Sequence, residues 1–176
     1  MTAFVALLRA VNVGGTGKLP MTELKAMCEQ AGFTGVRTYI ASGNVVFASG
    51  KSEPAVKAEL EAKLAAYAGK PVAVMVRTAA EMAAVRDANP FPKAPANSTM
   101  AIFLDAPPPA DAAGRAVGRR DEVIALGARE VYVQYGSGMG QSKLRIPAAA
   151  AGTARNMNTV AKLAAMAADL EEGQPS

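Results

Sequence analysis

Apolar positions along the chain switch repeatedly between the period of a strand and the period of a helix. Residues 4–8 form an unbroken apolar run, which predicts a buried strand. Residues 20–31 place Leu24, Met27 and Cys28 at helical spacing, and Gly32 follows as a helix stop. In residues 36–40, Val36, Thr38 and Ile40 alternate with Arg37 and Tyr39, which predicts a strand. Ala41, Ser42, Gly43 and Asn44 are turn chemistry, and residues 45–48 return as a second strand. Residues 54–68 open with proline and carry Val56, Leu60, Leu64 and Tyr67 on one helical face. Residues 72–76 close the unit as a strand. The order β-α-β-β-α-β is the ferredoxin-like pattern, two helices on one face of a four-stranded antiparallel sheet.

The second half nearly repeats this order. A linking helix at 79–87 and a proline-rich loop at 89–97 precede a strand at 99–104. A helical stretch is expected at 111–120, and a strand pair at 122–126 and 130–135, joined at Gly127. A flexible loop at 136–140 follows, then a final helix from about Thr153, acting as N-cap, to Leu170. On this reading the last strand of the repeat is missing. The expected fold is therefore α+β: two tandem ferredoxin-like subdomains, residues 1–77 and 78–176, with a C-terminal helix. No apolar run reaches the roughly 18 residues of a membrane span, and the N-terminus lacks a secretory pattern. A cytoplasmic protein without membrane partners is expected.

Composition changes the picture mainly by what it lacks. The chain has no histidine and one cysteine. Histidine-dependent nucleophile pairs, histidine general bases and cysteine-rich metal sites are thereby excluded. The lone Cys28 fits a reducing compartment. Residues 1–77 hold nine Lys/Arg and five Asp/Glu, a balance of +4, whereas residues 78–176 hold ten of each and balance to zero. Basic character in the first half favours an anionic partner, although Lys51, Lys57, Lys63 and Lys70 also read as solvated surface.

Three segments carry candidate chemistry. The first, LRAVNVGGTGK, runs from Leu8 to Lys18 between the first strand and the first helix. Strand, glycine-rich loop and helix aim backbone N–H groups at an anion. The segment fails the nucleotide-triphosphatase motif, because Leu19 follows Gly17-Lys18, and it fails the dinucleotide motif, because Pro20 stands at the third glycine position. What remains is Gly14 and Gly15 as backbone donors beside Arg9, Asn12 and Lys18. The second segment is the turn Ser42-Gly43-Asn44, equally readable as plain turn chemistry. The third is the start of the last helix, where Arg155, Thr159 and Lys162 at i, i+4 and i+7 would share a polar face near Asn156.

LLRAVNVGGTGKLPMTEL, VRTYIASGNVVF and TARNMNTVAKL together resemble the signature segments of a mainly bacterial family, domain of unknown function 1697. The resemblance implies a cytoplasmic α+β protein of two ferredoxin-like subdomains. It points to Arg9, Asn12, Gly14, Gly15, Lys18, Ser42, Gly43, Asn44, Arg155, Asn156 and Thr159. Met157 departs from the family's usual tryptophan. The family implies no reaction and no cofactor. The leading functional expectation is a site for a phosphorylated or otherwise anionic small molecule. A nucleic-acid-binding module ranks second, since only Phe4 and Phe47 could stack on bases. An enzyme acting on a phosphorylated substrate ranks third, with Lys18, Tyr39 and Tyr135 as proton carriers.

Overall fold

Thr2–Leu8 forms β1, all but its first residue buried. A computed structural model describes residues 1–10, 18–136 and 138–173. Met21–Gln30 is α1, Thr34–Thr38 is β2, Asn44–Ser49 is β3, Glu53–Ala68 is α2 and Val74–Thr78 is β4. These strands form a four-stranded sheet in the order β2-β3-β1-β4, with every neighbouring pair antiparallel. Alternate residues of β1, Phe4, Ala6 and Leu8, face a core shared with Leu24 of α1 and Leu60 and Leu64 of α2. Phe33 stacks on Phe47 in the same cluster, ring centroids 4.3 Å apart. Val5, Leu7, Val46 and Met75 point to the other face and are also buried.

Local chemistry sets the helix limits. The Ser52 side chain accepts from Ala55 N–H to cap α2, a proline stands in the first turn, and Gly69 ends the helix in the left-handed region at φ +73°. Lys57 and Glu61 reach from α2 to the outer strand β4. The Lys57 ammonium donates to the Val74 carbonyl at 2.5 Å, and the Glu61 carboxylate accepts from Val74 N–H at 3.0 Å. An edge strand's exposed backbone is thus satisfied by its own crossover helix. Lys57, expected as plain solvated surface, holds helix to sheet.

Ala79–Asp87 is α3, as the periodicity predicts. Thr99–Phe103 (β5), Val123–Leu126 (β6), Glu130–Gln134 (β7) and Thr153–Asn156 (β8) form a second antiparallel sheet in the order β6-β7-β5-β8. Met157–Glu172 is α4. The chain divides into two compact units, Met1–Ala83 with Lys162–Ser176, and Ala84–Ala161. Two α-helical elements are long enough to reach 16 residues, and no helix among the described residues is long and apolar enough to cross a membrane.

Four expectations are corrected. Residues 111–120 form no helix: 111–115 are turn and Val117 bridges to Arg145. Three prolines precede them, and Gly118 adopts φ +72° with the Lys143 carbonyl packed against its Cα. The last helix begins at Met157 rather than Thr153, because residues 153–156 pair with β5 as β8. The second sheet therefore has the strand that the sequence left missing. Ile40 lies beyond β2 in the left-handed region at φ 51° and is exposed, so the predicted alternation stops at Thr38. Tyr67 is exposed rather than packed on the α2 core face.

Candidate functional site

Backbone pairing decides which end of the first sheet carries the candidate groups. Leu7 pairs with Asn44. Leu8 N–H donates to the Gly43 carbonyl, and Arg9 N–H to the Ala73 carbonyl, both at 2.9 Å. The end of β1, the 39–44 turn and the entry to β4 therefore meet at one edge. The start of α1 faces the same way. Its far end returns through Phe33, whose N–H donates to the Cys28 carbonyl, into β2. Thr34 of β2 pairs with Ala48, whose β1 partner is Ala3 at the opposite end. A helix of 10 residues spans about 15 Å, so its N-terminus is carried back toward the end of β1.

No side chain caps α1 at Pro20, although Glu23 already places one negative charge in its first turn. Arg9 and Lys18 are exposed at the two borders of the connecting segment. Asn12, Gly14 and Gly15 lie outside the described residues. Among the described residues only Ala10 (φ 56°) and Ile40 (φ 51°) are non-glycines in the left-handed region, and both border this edge. Such backbone costs of order 1–2 kcal/mol for a residue with a Cβ, and it gathers at functional sites more often than elsewhere. Neither residue type announces that conformation in sequence.

The turn residues divide in role. Asn44 is fully buried, and its amide donates to the Tyr39 carbonyl at 2.9 Å and to Ser42 Oγ at 3.0 Å. The Asn44 backbone carbonyl accepts from Tyr39 N–H at 3.0 Å. Asn44 thus knits the turn from inside. Ser42 is half-buried and Gly43, at φ 87°, is buried.

The third predicted segment is arranged differently from the expectation of one polar helix face. Arg155 belongs to β8, where it pairs with Ala101, while Thr159 lies in the first turn of α4. Arg155 is buried, and its guanidinium donates to Thr153 Oγ1 at 2.7 Å and to the Ala154 carbonyl at 2.9 Å. Burial pulls its pKa down to about 10, so it remains a cation at neutral pH. Asn156 Oδ1 accepts from Thr159 N–H at 2.9 Å, the geometry of a helix cap. Thr159 is buried and Lys162 exposed.

Other reactive groups have evident structural roles. The Cys28 thiol is buried and pushed up to about 12 by desolvation and then by Glu29, which leaves no thiolate at neutral pH. Glu122 is buried, accepts from Ser142 Oγ and, at 2.6 Å, from Arg120 N–H, and is held below its usual pKa first by the serine and then by that backbone donor. No group of three or more metal-ligating side chains occurs among the described residues.

Comparisons with known proteins place the fold. The conserved bacterial protein SP0830 from Streptococcus pneumoniae is similar in structure, with a TM-score of 0.78 and 24% sequence identity over 94% of this chain and 98% of that one. At that identity the likeness shows a common fold. No match was found among curated proteins. A family model described as protein of unknown function (DUF1697) matches residues 1–132. With the glycine segment, the turn, the whole first sheet and the second sheet into the start of β7 inside that match, the chain belongs to the DUF1697 family.

Proposed function

We propose that the first unit binds a phosphorylated or otherwise anionic small molecule at the edge where β1 ends. The observation that carries this reading is the paired hydrogen bonding of Leu8 to Gly43 and of Arg9 to Ala73. It sets Arg9 beside the 39–44 turn, at the edge toward which the uncapped start of α1 is directed. Arg9 supplies a guanidinium fork and Lys18 a mobile ammonium, the two forms in which proteins present positive charge to phosphate. Gly14, Gly15 and Asn12, outside the described residues, are assigned to the same ligand as backbone and side-chain donors, beside Ser42 and Gly43 of the turn. Asn44 positions the turn. Arg155, Asn156 and Thr159 serve the second sheet and the start of α4, as their hydrogen bonds support.

The strand order β2-β3-β1-β4 with helical crossovers supports reading the first unit as ferredoxin-like. The order β6-β7-β5-β8 supports the same ancestry for the second, with its crossover helices replaced. The single reduced cysteine supports a cytoplasmic setting.

A thermal-shift screen of phosphorylated metabolites, nucleotides and short oligonucleotides tests the reading. A ligand at about 100 times its Kd stabilises the native state by about 2.7 kcal/mol, a shift of a few degrees. The expected result is a selective phosphorylated hit that Arg9→Ala abolishes without lowering the unliganded midpoint. Stabilisation by oligonucleotides alone, falling steeply with salt, would move the assignment to nucleic acid. A hit indifferent to Arg9→Ala and Lys18→Ala would refute the proposed edge.

A further inference from the structure

In the first sheet the crossovers from β1 to β2 and from β3 to β4 are helices, α1 and α2, and their apolar sides close one sheet face. In the second sheet the corresponding crossovers, residues 104–122 and 135–152, contain turns and two short 3-10 segments but no α-helix among the described residues. Leu104, Ala116, Leu144, Ile146 and Ala149 from these crossovers settle on the face formed by Ile102, Val131 and Val133. Irregular chain covers that face incompletely. Between the sheet and the second crossover a cleft of about 480 Å³ remains, walled by Ile102, Leu144, Ile146 and Pro147. Its volume falls within the range of roughly 300–1,000 Å³ usual for small-molecule sites, which pair apolar walls with a few convergent polar groups.

Two polar residues line this cleft, Arg145 and Tyr135. Both have fixed backbones. Arg145 exchanges hydrogen bonds with Val117 at 2.8 and 2.9 Å, and Tyr135 N–H donates to the Ser98 carbonyl at 3.0 Å. Among the described residues no carboxylate forms an ion pair with the Arg145 guanidinium, and none bonds the Tyr135 hydroxyl. The nearby buried acid, Glu122, is engaged by Ser142 and by Arg120 N–H. Burial, and then the Glu122 charge, raise the Tyr135 pKa, which keeps its hydroxyl a donor at neutral pH.

We propose that the cleft of the second unit binds a small amphiphilic carboxylate, its aliphatic or aromatic tail against Ile102, Leu144 and Ile146 and its carboxylate on Arg145 and the Tyr135 hydroxyl. One guanidinium fork and one neutral donor match a planar monoanion, whereas a phosphate dianion asks for more charge than one arginine supplies. The apolar walls select the tail. This site is separate from the one proposed for the first unit and stands without it.

The test is a titration of the full chain, isotope-labelled at backbone amides and methyl groups, followed by NMR. Phenylpropanoate is the probe, phenylpropanol keeps its tail without the charge, and propanoate keeps the charge without the ring. The acid is expected to shift the Ile102, Leu144 and Ile146 methyls and to bind about tenfold more tightly than either control, the scale of one charge-assisted hydrogen bond. Arg145→Ala is expected to weaken the acid about tenfold and leave the alcohol unchanged. Tyr135→Phe is expected to weaken the acid alone. Because Arg145 is exposed, the amide spectrum of its variant should remain that of the parent outside the cleft. Shifts outside the cleft, no shifts at all, or equal binding of acid and alcohol with Arg145→Ala indifferent to both would overturn the proposal.

Discussion

Tyr132→Phe removes one oxygen from the interior of the second unit and leaves the ring in place. Tyr132 is 2% exposed, and its hydroxyl donates to the Val85 carbonyl at 2.8 Å. Val85 lies in the last turn of α3, where carbonyls lack donors from a following turn. Ala84 and Arg86 find theirs in the N–H groups of Ala88 and Asn89. Val85 finds its donor in Tyr132. A typical hydrogen bond contributes about 0.5–1.5 kcal/mol net, and a buried carbonyl left unsatisfied costs about 1–3 kcal/mol. The substitution should therefore cost about 1–3 kcal/mol at neutral pH, read as a lower urea midpoint at unchanged slope. A second signature is independent of that figure. Desolvation, and then Glu130, push the Tyr132 pKa up from 10.0 to about 12. A group whose folded pKa is raised stabilises the fold fully below its unfolded pKa and loses that contribution as pH climbs through the folded value. About two pKa units correspond to about 2–3 kcal/mol. The parent should shed that amount on approaching pH 12, and Tyr132→Phe should not, so the gap between them narrows with alkali. Equal midpoints at neutral pH together with parallel alkaline limbs would refute the reasoning.

Glu122→Gln should flatten the acid limb of unfolding. The folded pKa of Glu122 lies below its ordinary 4.5, so its contribution is present above that value and is lost as pH falls through the folded one. Circular dichroism against pH checks this, and identical acid midpoints would count against it. Asn44→Ala removes both amide hydrogen bonds inside the 39–44 turn. It should cost about 1–3 kcal/mol in urea and speed hydrogen exchange at Tyr39 N–H; unchanged protection would mean that the turn holds without it. Leu60→Ala, at a fully buried position of α2, should cost about 2–5 kcal/mol in the same assay. A loss under 1 kcal/mol would mean the helix packs more loosely than its burial implies.

The first unit was legible because each of its elements carries its own signal. The apolar run of β1, the helical spacing of Leu24, Met27 and Cys28, and the proline that opens α2 are local features that tertiary structure reinforces. The second unit was less legible for two opposite reasons. Residues 111–120 are rich in alanine and arginine, good helix formers, yet the prolines before them and the glycines within them favour turns. Thr153–Asn156 reads as the leading turn of a helix, because only pairing with β5 makes four such residues a strand. Helical spacing through these residues sets Arg155 on a polar face, whereas in β8 it is buried. At the candidate site the charges were visible in sequence, but the left-handed Ala10 and Ile40 were not. Which end of the sheet those groups share was likewise hidden, since it depends on long-range pairing between residues 8 and 43.

The order in which the chain visits its two units has a consequence for synthesis. The ribosome releases Met1–Ala83 first, then all of Ala84–Ala161, and only afterwards the stretch from Lys162 that rejoins the first unit. That late stretch is a tight fit: a Cβ on Gly35 would stand 2.6 Å from Leu170. The second unit can therefore mature while the first still waits for its final helical turns. A nascent chain that has emerged from the ribosome only as far as residue 161 would hold its middle finished and its beginning incomplete, a reversal of the N-terminal-first order usual for successive domains.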